Sequence, residues 1–200
     1  MNIKVIIFLV IFIICGCSRK TNPIEAYRNL KENRTLSTHI PTEPLSLNEN
    51  HKLELKISDS VMTYGENEKK TYTNYKGYNF TLESNKKYKL TISSICDCFG
   101  FKKYMFIPLA SILDQNGMTT KTEELPDTFD YRYGPLSLNK TWIIENTTNG
   151  NYKLYLASNN KNLNESIYKF FTNPVPMTIN IKSTTVGKFT IRIEEIKQDL

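Results

Sequence analysis

The sequence predicts an all-β protein: an antiparallel β-sandwich or jelly roll of about eight strands, preceded by a cleaved signal peptide and a polar tether holding one short helix. Three observations predict it. From Leu53 onward apolar side chains recur at every second residue, the period of a half-buried strand. Gly, Asn and Pro residues punctuate these runs at short intervals, as in sandwiches and barrels. The first twenty residues instead form an apolar run that ends in small residues and cysteine, the pattern of an export leader. The boundaries that follow are 1–16 for the leader, 17–50 for the modified N-terminus and tether, and 51–200 for the sandwich.

The leader opens with Met1-Asn2-Ile3-Lys4 and continues uncharged from Val5 to Ile14. A helix of that length reaches about 15 Å, half the roughly 30 Å of hydrocarbon that a membrane span must cover. It therefore reads as a leader and not as a permanent span. The motif that follows, Ile14-Cys15-Gly16-Cys17, resembles the bacterial lipoprotein lipobox. The resemblance implies a diacylglycerol thioether on Cys17, cleavage after Gly16 and acylation of the new amine by a fatty acid such as palmitate. At about 0.8 kcal/mol per buried methylene, two or more such chains hold a protein on a bilayer. Ser18 stands where the inner-membrane retention signal has aspartate. The implied location is the cell envelope: the outer membrane, facing the periplasm, in a Gram-negative cell, with a Gram-positive surface as the alternative.

From Ser18 to Asn50 the chain is polar and carries Pro23, Pro41 and Pro44. A flexible segment of that size spans roughly 30–35 Å end to end. Within it Asn22 can cap a helix, Pro23 suits the first helical position, and Glu25 can act as a capping carboxylate. Ile24, Tyr27 and Leu30 share a stripe, which docks either on a partner or lipid surface or, the preferred reading, on the protein's own domain.

Leu53, Leu55 and Ile57 alternate with charged neighbours in the first strand. Tyr78, Phe80 and Leu82 form a second set. After the turn Ser84-Asn85-Lys86-Lys87, Tyr88, Leu90 and Ile92 form a third, and the pair is expected to be a hairpin. Met105 to Leu113 leads into Asp114-Gln115-Asn116-Gly117, a turn signal through its Asn-Gly pair. Tyr152, Leu154 and Leu156 follow Asn149-Gly150-Asn151. Thr178 to Ile181, the turn Val186-Gly187, and Phe189, Ile191 and Ile193 close the chain as an expected second hairpin.

Four of these segments, Tyr78 to Leu82 with Tyr88 to Ile92, Ile112 to Gly117, Asn149 to Leu156, and Gly187 to Ile191, are similar to the bacterial pre-peptidase C-terminal domain and related jelly-roll modules. The resemblance spans about residues 70–196. It implies a non-catalytic accessory or ligand-binding module.

Composition narrows the chemistry. Hydrophobic residues make up 40% of the chain and aromatic residues 12%, too polar for a polytopic membrane protein and too aromatic for a disordered one. The excess of 26 basic over 20 acidic residues is modest and scattered, so no nucleic-acid partner is expected. The two histidines are His39, in the tether, and His51, at the edge of the first strand, and none follows from Lys52 to Leu200, which argues against a Ser-His-Asp or Cys-His system in the folded domain. No cofactor, no metal and no catalytic residue are assigned.

Glu123, Glu124, Asp127 and Asp130 form the densest carboxylate group. It could supply Ca²⁺ oxygens or an acid pair for glycan hydrolysis, but a solvated acidic loop is preferred. In Cys96-Asp97-Cys98 an extended backbone would hold the two Cα atoms about 7 Å apart, so a mutual disulfide requires a bend. Free thiols and a bond to another chain are the alternatives to it. Phe129, Tyr131 and Tyr133 alternate with Asp130 and Arg132, and Trp142 follows. Such alternation is more often the inner face of a strand; facing water, these six residues would make an aromatic platform for a glycan or a partner. Tyr64, Tyr72 and Tyr75 are a second such candidate.

The expectation is a membrane-anchored envelope lipoprotein that acts without turnover as a binding or structural module for another envelope protein or glycan. An inhibitor or assembly component of a secretion or envelope apparatus is the alternative, and a carboxylate-dependent glycan hydrolase ranks third.

Overall fold

The structure is a computed structural model that describes residues 22–32, 41–65, 70–98, 103–131, 135–145, 148–172 and 177–197. Residues 1–16, expected from the sequence to be a leader, and Cys17, Arg132 and Tyr133 lie outside the described residues. Among those described, the chain forms one helix, α1 (Pro23–Glu32), and fourteen strands: β1 (Thr42–Pro44), β2 (His51–Leu55), β3 (Val61–Tyr64), β4 (Thr71–Leu82), β5 (Tyr88–Ile95), β6 (Tyr104–Phe106), β7 (Pro108–Leu113), β8 (Thr122–Glu124), β9 (Thr128–Asp130), β10 (Ser137–Ile144), β11 (Gly150–Ser158), β12 (Ser166–Thr172), β13 (Met177–Thr184) and β14 (Gly187–Glu195).

The fold is an all-β sandwich. Sheet one runs β1-β4-β11-β7, with β3 also on β4. Sheet two runs β2-β14-β5-β10-β8, with β9 also on β10, and a small third sheet runs β12-β13-β6. Most pairs are antiparallel; β1 with β4 and β6 with β13 are parallel.

Alternation along β4 and β5 is as clean as the sequence implies, but the two strands are not a hairpin. β4 pairs with β11 in sheet one, and β5 pairs with β10 and β14 in sheet two. The Ser84 to Lys87 turn therefore arches between layers, with Asn85 at φ 59°. Tyr78, Phe80 and Leu82 face Tyr88, Leu90 and Ile92 across the core, all of them buried. An arch buries both inner faces at once, which pairing within one sheet would not do. The closing hairpin is corrected in the same way, since β13 belongs to sheet three and β14 to sheet two. A true hairpin joins β12 to β13. The Asn-Gly turn forms as expected: the Asp114 carboxylate accepts from the backbone N–H of Asn116 and of Met118, and Gly117 takes φ 77°, which only glycine adopts without strain.

The main core is completed by Tyr152, Leu154 and Leu156 of β11, by Trp142 and Ile144 of β10, and by Phe189, Ile191 and Ile193 of β14. Phe80 stacks on Tyr152 at 5.9 Å, and Phe106 meets Phe189 edge-on at 5.7 Å.

The strand directions give the sandwich two unlike ends. β4 starts, and β5 and β11 finish, at what is here termed the near end; the arch and the Gly117 turn mark the far end. At the near end the expected tether is partly built into the fold. Asn22 Oδ1 accepts from the Ile24 N–H at 3.0 Å and caps α1. Ala26 and Leu30 of α1 are buried, and the Tyr27 hydroxyl accepts from the Tyr72 N–H. Helix α1 thus packs on its own domain. Further along β4, towards the far end, β1 pairs with Gly77 to Asn79, and Leu45 enters the main core.

Buried polar groups lock this end. Asn74 donates to the carbonyls of Ile57 and Asp59 at 3.0 and 2.9 Å. Ser158 N–H donates to Thr73 Oγ1, and Asn160 Nδ2 donates to the Tyr72 carbonyl. The Tyr64 hydroxyl accepts from Asn160 N–H and donates to Asn159 Oδ1. Tyr64 and Tyr72 are thus tied into structural bonds, and Tyr75 is buried.

Two predictions follow from the core. Leu90 is fully buried, so Leu90→Ala is expected to cost about 2–5 kcal/mol, read as a lower urea midpoint at unchanged m-value. The Tyr78 hydroxyl is buried without a partner among the described residues. Burial first, then the charges of Glu43 and Asp59, hold its phenol far above the ordinary 10.0. A folded-state pKa above the unfolded one leaves stability intact below about pH 10 and removes it as pH rises further. Tyr78→Phe should keep stability at about pH 7 and flatten the loss at about pH 11, as urea titrations at both values would show.

Candidate functional site

The near end holds most of the residues with chemical potential, because β5 leaves sheet two there. Ile95 still pairs with Ser137, whereas Asp97 bridges to Tyr104 at the start of β6. The change of partner bends the chain. Cys96 and Cys98 form a disulfide with Cα atoms 5.1 Å apart, closer than an extended dipeptide step allows. Cys96 N–H donates to the Leu136 carbonyl, and Lys103 Nζ donates to the Cys98 carbonyl at 2.7 Å. Cys96 belongs to a second, smaller core with Met105, Leu138 and Ile181. That core joins sheet three to sheet two.

Of the six residues considered as an aromatic platform, the four that are described do not form one surface. Trp142 is 5% exposed in the main core, and its indole N–H donates to Glu124 at 3.2 Å. Phe129 is half-buried and stacked on Tyr168, ring centroids 4.3 Å apart. Asp130 is half-buried, and its carbonyl accepts from the Ser137 hydroxyl. Tyr131 is 68% exposed. The structure does not bring Phe129, Tyr131 and Trp142 into one exposed plane, because β9 and β10 turn Phe129 and Trp142 inward.

The carboxylates also part. Glu124 and Asp127 converge on Lys140, whose Nζ lies 2.5 and 3.3 Å from their oxygens and 5.9 Å from the Trp142 ring centroid. Burial disfavours the Lys140 ammonium, but the Glu124 hydrogen bond and the charges of Asp127 and Glu124 outweigh it and raise its pKa. Two acids committed to one lysine hold β8 and the following loop on β10, which is a structural use. Glu123 sits beside Ile143 in the ladder and is exposed. Among the described residues no three His, Cys, Asp or Glu side chains group as metal ligands.

A feature that the sequence reading did not anticipate is a cleft of about 590 Å³ at the near end, where α1, sheet two and sheet three meet. Ala26, Ile57, Ile95, Met105 and Val186 give it apolar walls, and Glu54 and Lys188 contribute charge. The buried Thr185 hydroxyl on its wall has no hydrogen-bond partner among the described residues. Gly187 also lines the cleft, and a Cβ there would come within 3.3 Å of the Phe106 ring, which would have to give by a few tenths of an ångström to admit it.

No family model, no curated protein and no solved structure matches this chain. The likeness to pre-peptidase C-terminal domains therefore rests on the four short segments alone.

Cys96 and Cys98 are expected to resist a thiol-alkylating reagent in the folded, unreduced protein and to react after reduction, as counted by mass spectrometry. The closed loop holds one intervening residue, so cross-linking removes little chain entropy. The double substitution to alanine should cost only about 1–2 kcal/mol, the size of the loop-closure term for so short a loop.

Proposed function

We propose that the chain is an exported, acylated envelope lipoprotein whose sandwich serves as a non-catalytic binding or structural module for another envelope protein or a glycan. The observation that carries this reading is Ile14-Cys15-Gly16-Cys17 directly after the uncharged run Val5 to Ile14. A leader too short to span, followed by a thiol at the position that lipoprotein processing modifies, serves to export and anchor a chain. The bilayer is then the first partner, through Cys17.

The cleft is the surface best suited to a second partner. It is concave and mostly apolar, with a buried hydroxyl on its wall that has no partner among the described residues and charges of both signs among its lining residues. Sites of this composition take an apolar group and orient it through a few polar contacts. The aromatic platform no longer supports a glycan in preference to a protein, since two of its rings are covered.

Mass spectrometry of the protein from its own envelope tests the anchor. The expected N-terminus is Cys17 carrying a diacylglycerol thioether, and Cys17→Ser should abolish both the adduct and cleavage. An unmodified terminus on cytosolic material overturns the reading. Affinity capture of the acylated protein tests the cleft. Lys188 is exposed on its lining, so Lys188→Glu should lower recovery of a specific partner several-fold with the fold intact.

A further inference from the structure

The two ends of the sandwich differ in what they show to solvent. Of the five large hydrophobic residues that are exposed among those described, four lie at the near end: Ile24 at 48%, Ile57 at 46%, Tyr131 at 68% and Phe171 at 81%. Their placement follows from the registers. Ile24 is in α1, whose Tyr27 meets the first turns of β4. The Ile57 carbonyl is held by Asn74. Tyr131 follows Asp130, which pairs with Ser137 and through it lies level with Ile95. Phe171 pairs with Thr178, four residues outward from Lys182, where β13 meets β6. The fifth, Met118, belongs to the far-end turn.

Ion pairs occur at both ends, and at the near end Lys56 lies 3.9 Å from Glu54. At the far end Lys86 pairs with Glu83 and Glu195, Lys87 with Glu145, and Lys89 with Glu194. On sheet three the register places Lys169, Phe171, Thr178, Asn180 and Lys182 on one face, opposite the face of Tyr168, Phe170 and Ile181 that joins the second core. Lys169 and Phe171 are exposed, and neither Lys169 nor Lys182 has an ion-pair partner among the described residues. An exposed phenyl ring at the outer end of a face that carries two lysines further in suits the boundary between acyl chains and anionic headgroups, where rings enter and lysine stems reach to phosphate.

Chain length supplies the third constraint. Five residues lie between Cys17 and Pro23, the first residue of α1, and the connection reaches about 20 Å at most. From Tyr72 to Leu82, β4 alone extends about 33 Å. With α1 seated on β4, an anchor at Cys17 reaches the near end and not the far one.

We propose that the near end rests on an anionic phospholipid surface, with Phe171 and the Lys169 and Lys182 of the same sheet face in the headgroup region and the far-end turns held away from the bilayer. This rests on the reading that Cys17 is acylated. The anchor then fixes which end faces the membrane as well as the membrane attachment itself.

The test uses the full-length, natively processed protein, with its Cys17 adduct verified by mass spectrometry. It is reconstituted on vesicles of phosphatidylethanolamine and phosphatidylglycerol that carry a headgroup-level quencher. A fluorophore is attached through Thr178→Cys, beside Phe171, or through Asn85→Cys in the arch. The Thr178 label is expected to be quenched several-fold more than the Asn85 label. That difference should shrink when Phe171→Ser, Lys169→Ser and Lys182→Ser are combined, and when phosphatidylglycerol is omitted. Equal quenching of the two labels with Cys17 acylated overturns the proposal and leaves the anchor reading standing. Shielding of the Thr178 label that needs no vesicles and rises with protein concentration also overturns it, in favour of a second copy. If Cys17 proves unmodified, the anchor reading fails by itself. Sedimentation of that chain with the same vesicles then decides: binding lost on Phe171→Ser supports the near-end contact, and no binding overturns it.

Discussion

The inner face of β4 opposes the inner face of β5 across the core, and the rest of the molecule depends on that opposition. Tyr78, Phe80 and Leu82 on one side and Tyr88, Leu90 and Ile92 on the other are almost completely removed from water. Because the short turn between them crosses from one sheet to the other, β11 must complete sheet one, and β10 and β14 must complete sheet two. The Tyr88 hydroxyl closes the arch by accepting from the Glu83 N–H at 3.2 Å. Hydrophobic burial supplies the energy, and the alternation of side chains across each strand decides which residues receive it.

The near end is organised differently. Its strands change partners, so the backbone groups released by the main sheets must be met by side chains or by the third sheet. Asn74, Thr73 and Asn160 perform the first task, and β6 with β13 performs the second. The same departures leave the cleft between α1 and the two sheets. The buried Thr185 hydroxyl on the cleft wall has no hydrogen-bond partner among the described residues. Proposed attachment to lipid and proposed binding of a partner thus fall on one end of the molecule, for the common reason that regular pairing stops there.

Several features were legible along the chain because they depend on neighbours in sequence. The Asx-type turn at Asp114 to Gly117, the cap at Asn22 and the alternation of β2, β5, β11 and β14 all involve contacts within a few residues. The short strands β1, β3, β8 and β9 were not legible, since three or four residues carry too little pattern and exist by pairing with β4 or β10. Trp142 and Phe129 show why candidate surfaces read poorly from alternation. Period two states that side chains divide between two faces but not which face is wet.

The sequence by itself determined the all-β class, most of the long core strands and the turn chemistry, because a strand's periodicity and a turn's backbone demands are written in adjacent residues. It also holds the Ile14 to Cys17 motif on which the proposed anchor rests. Only the tertiary structure decided which strands share a sheet, that β5 follows β4 across the core and not beside it, that Trp142 is sealed inside, and that a cleft opens beside Cys96. Those outcomes depend on contacts between residues tens of positions apart, and a one-dimensional pattern is the same whether its apolar face meets the next strand's sheet or the opposite one.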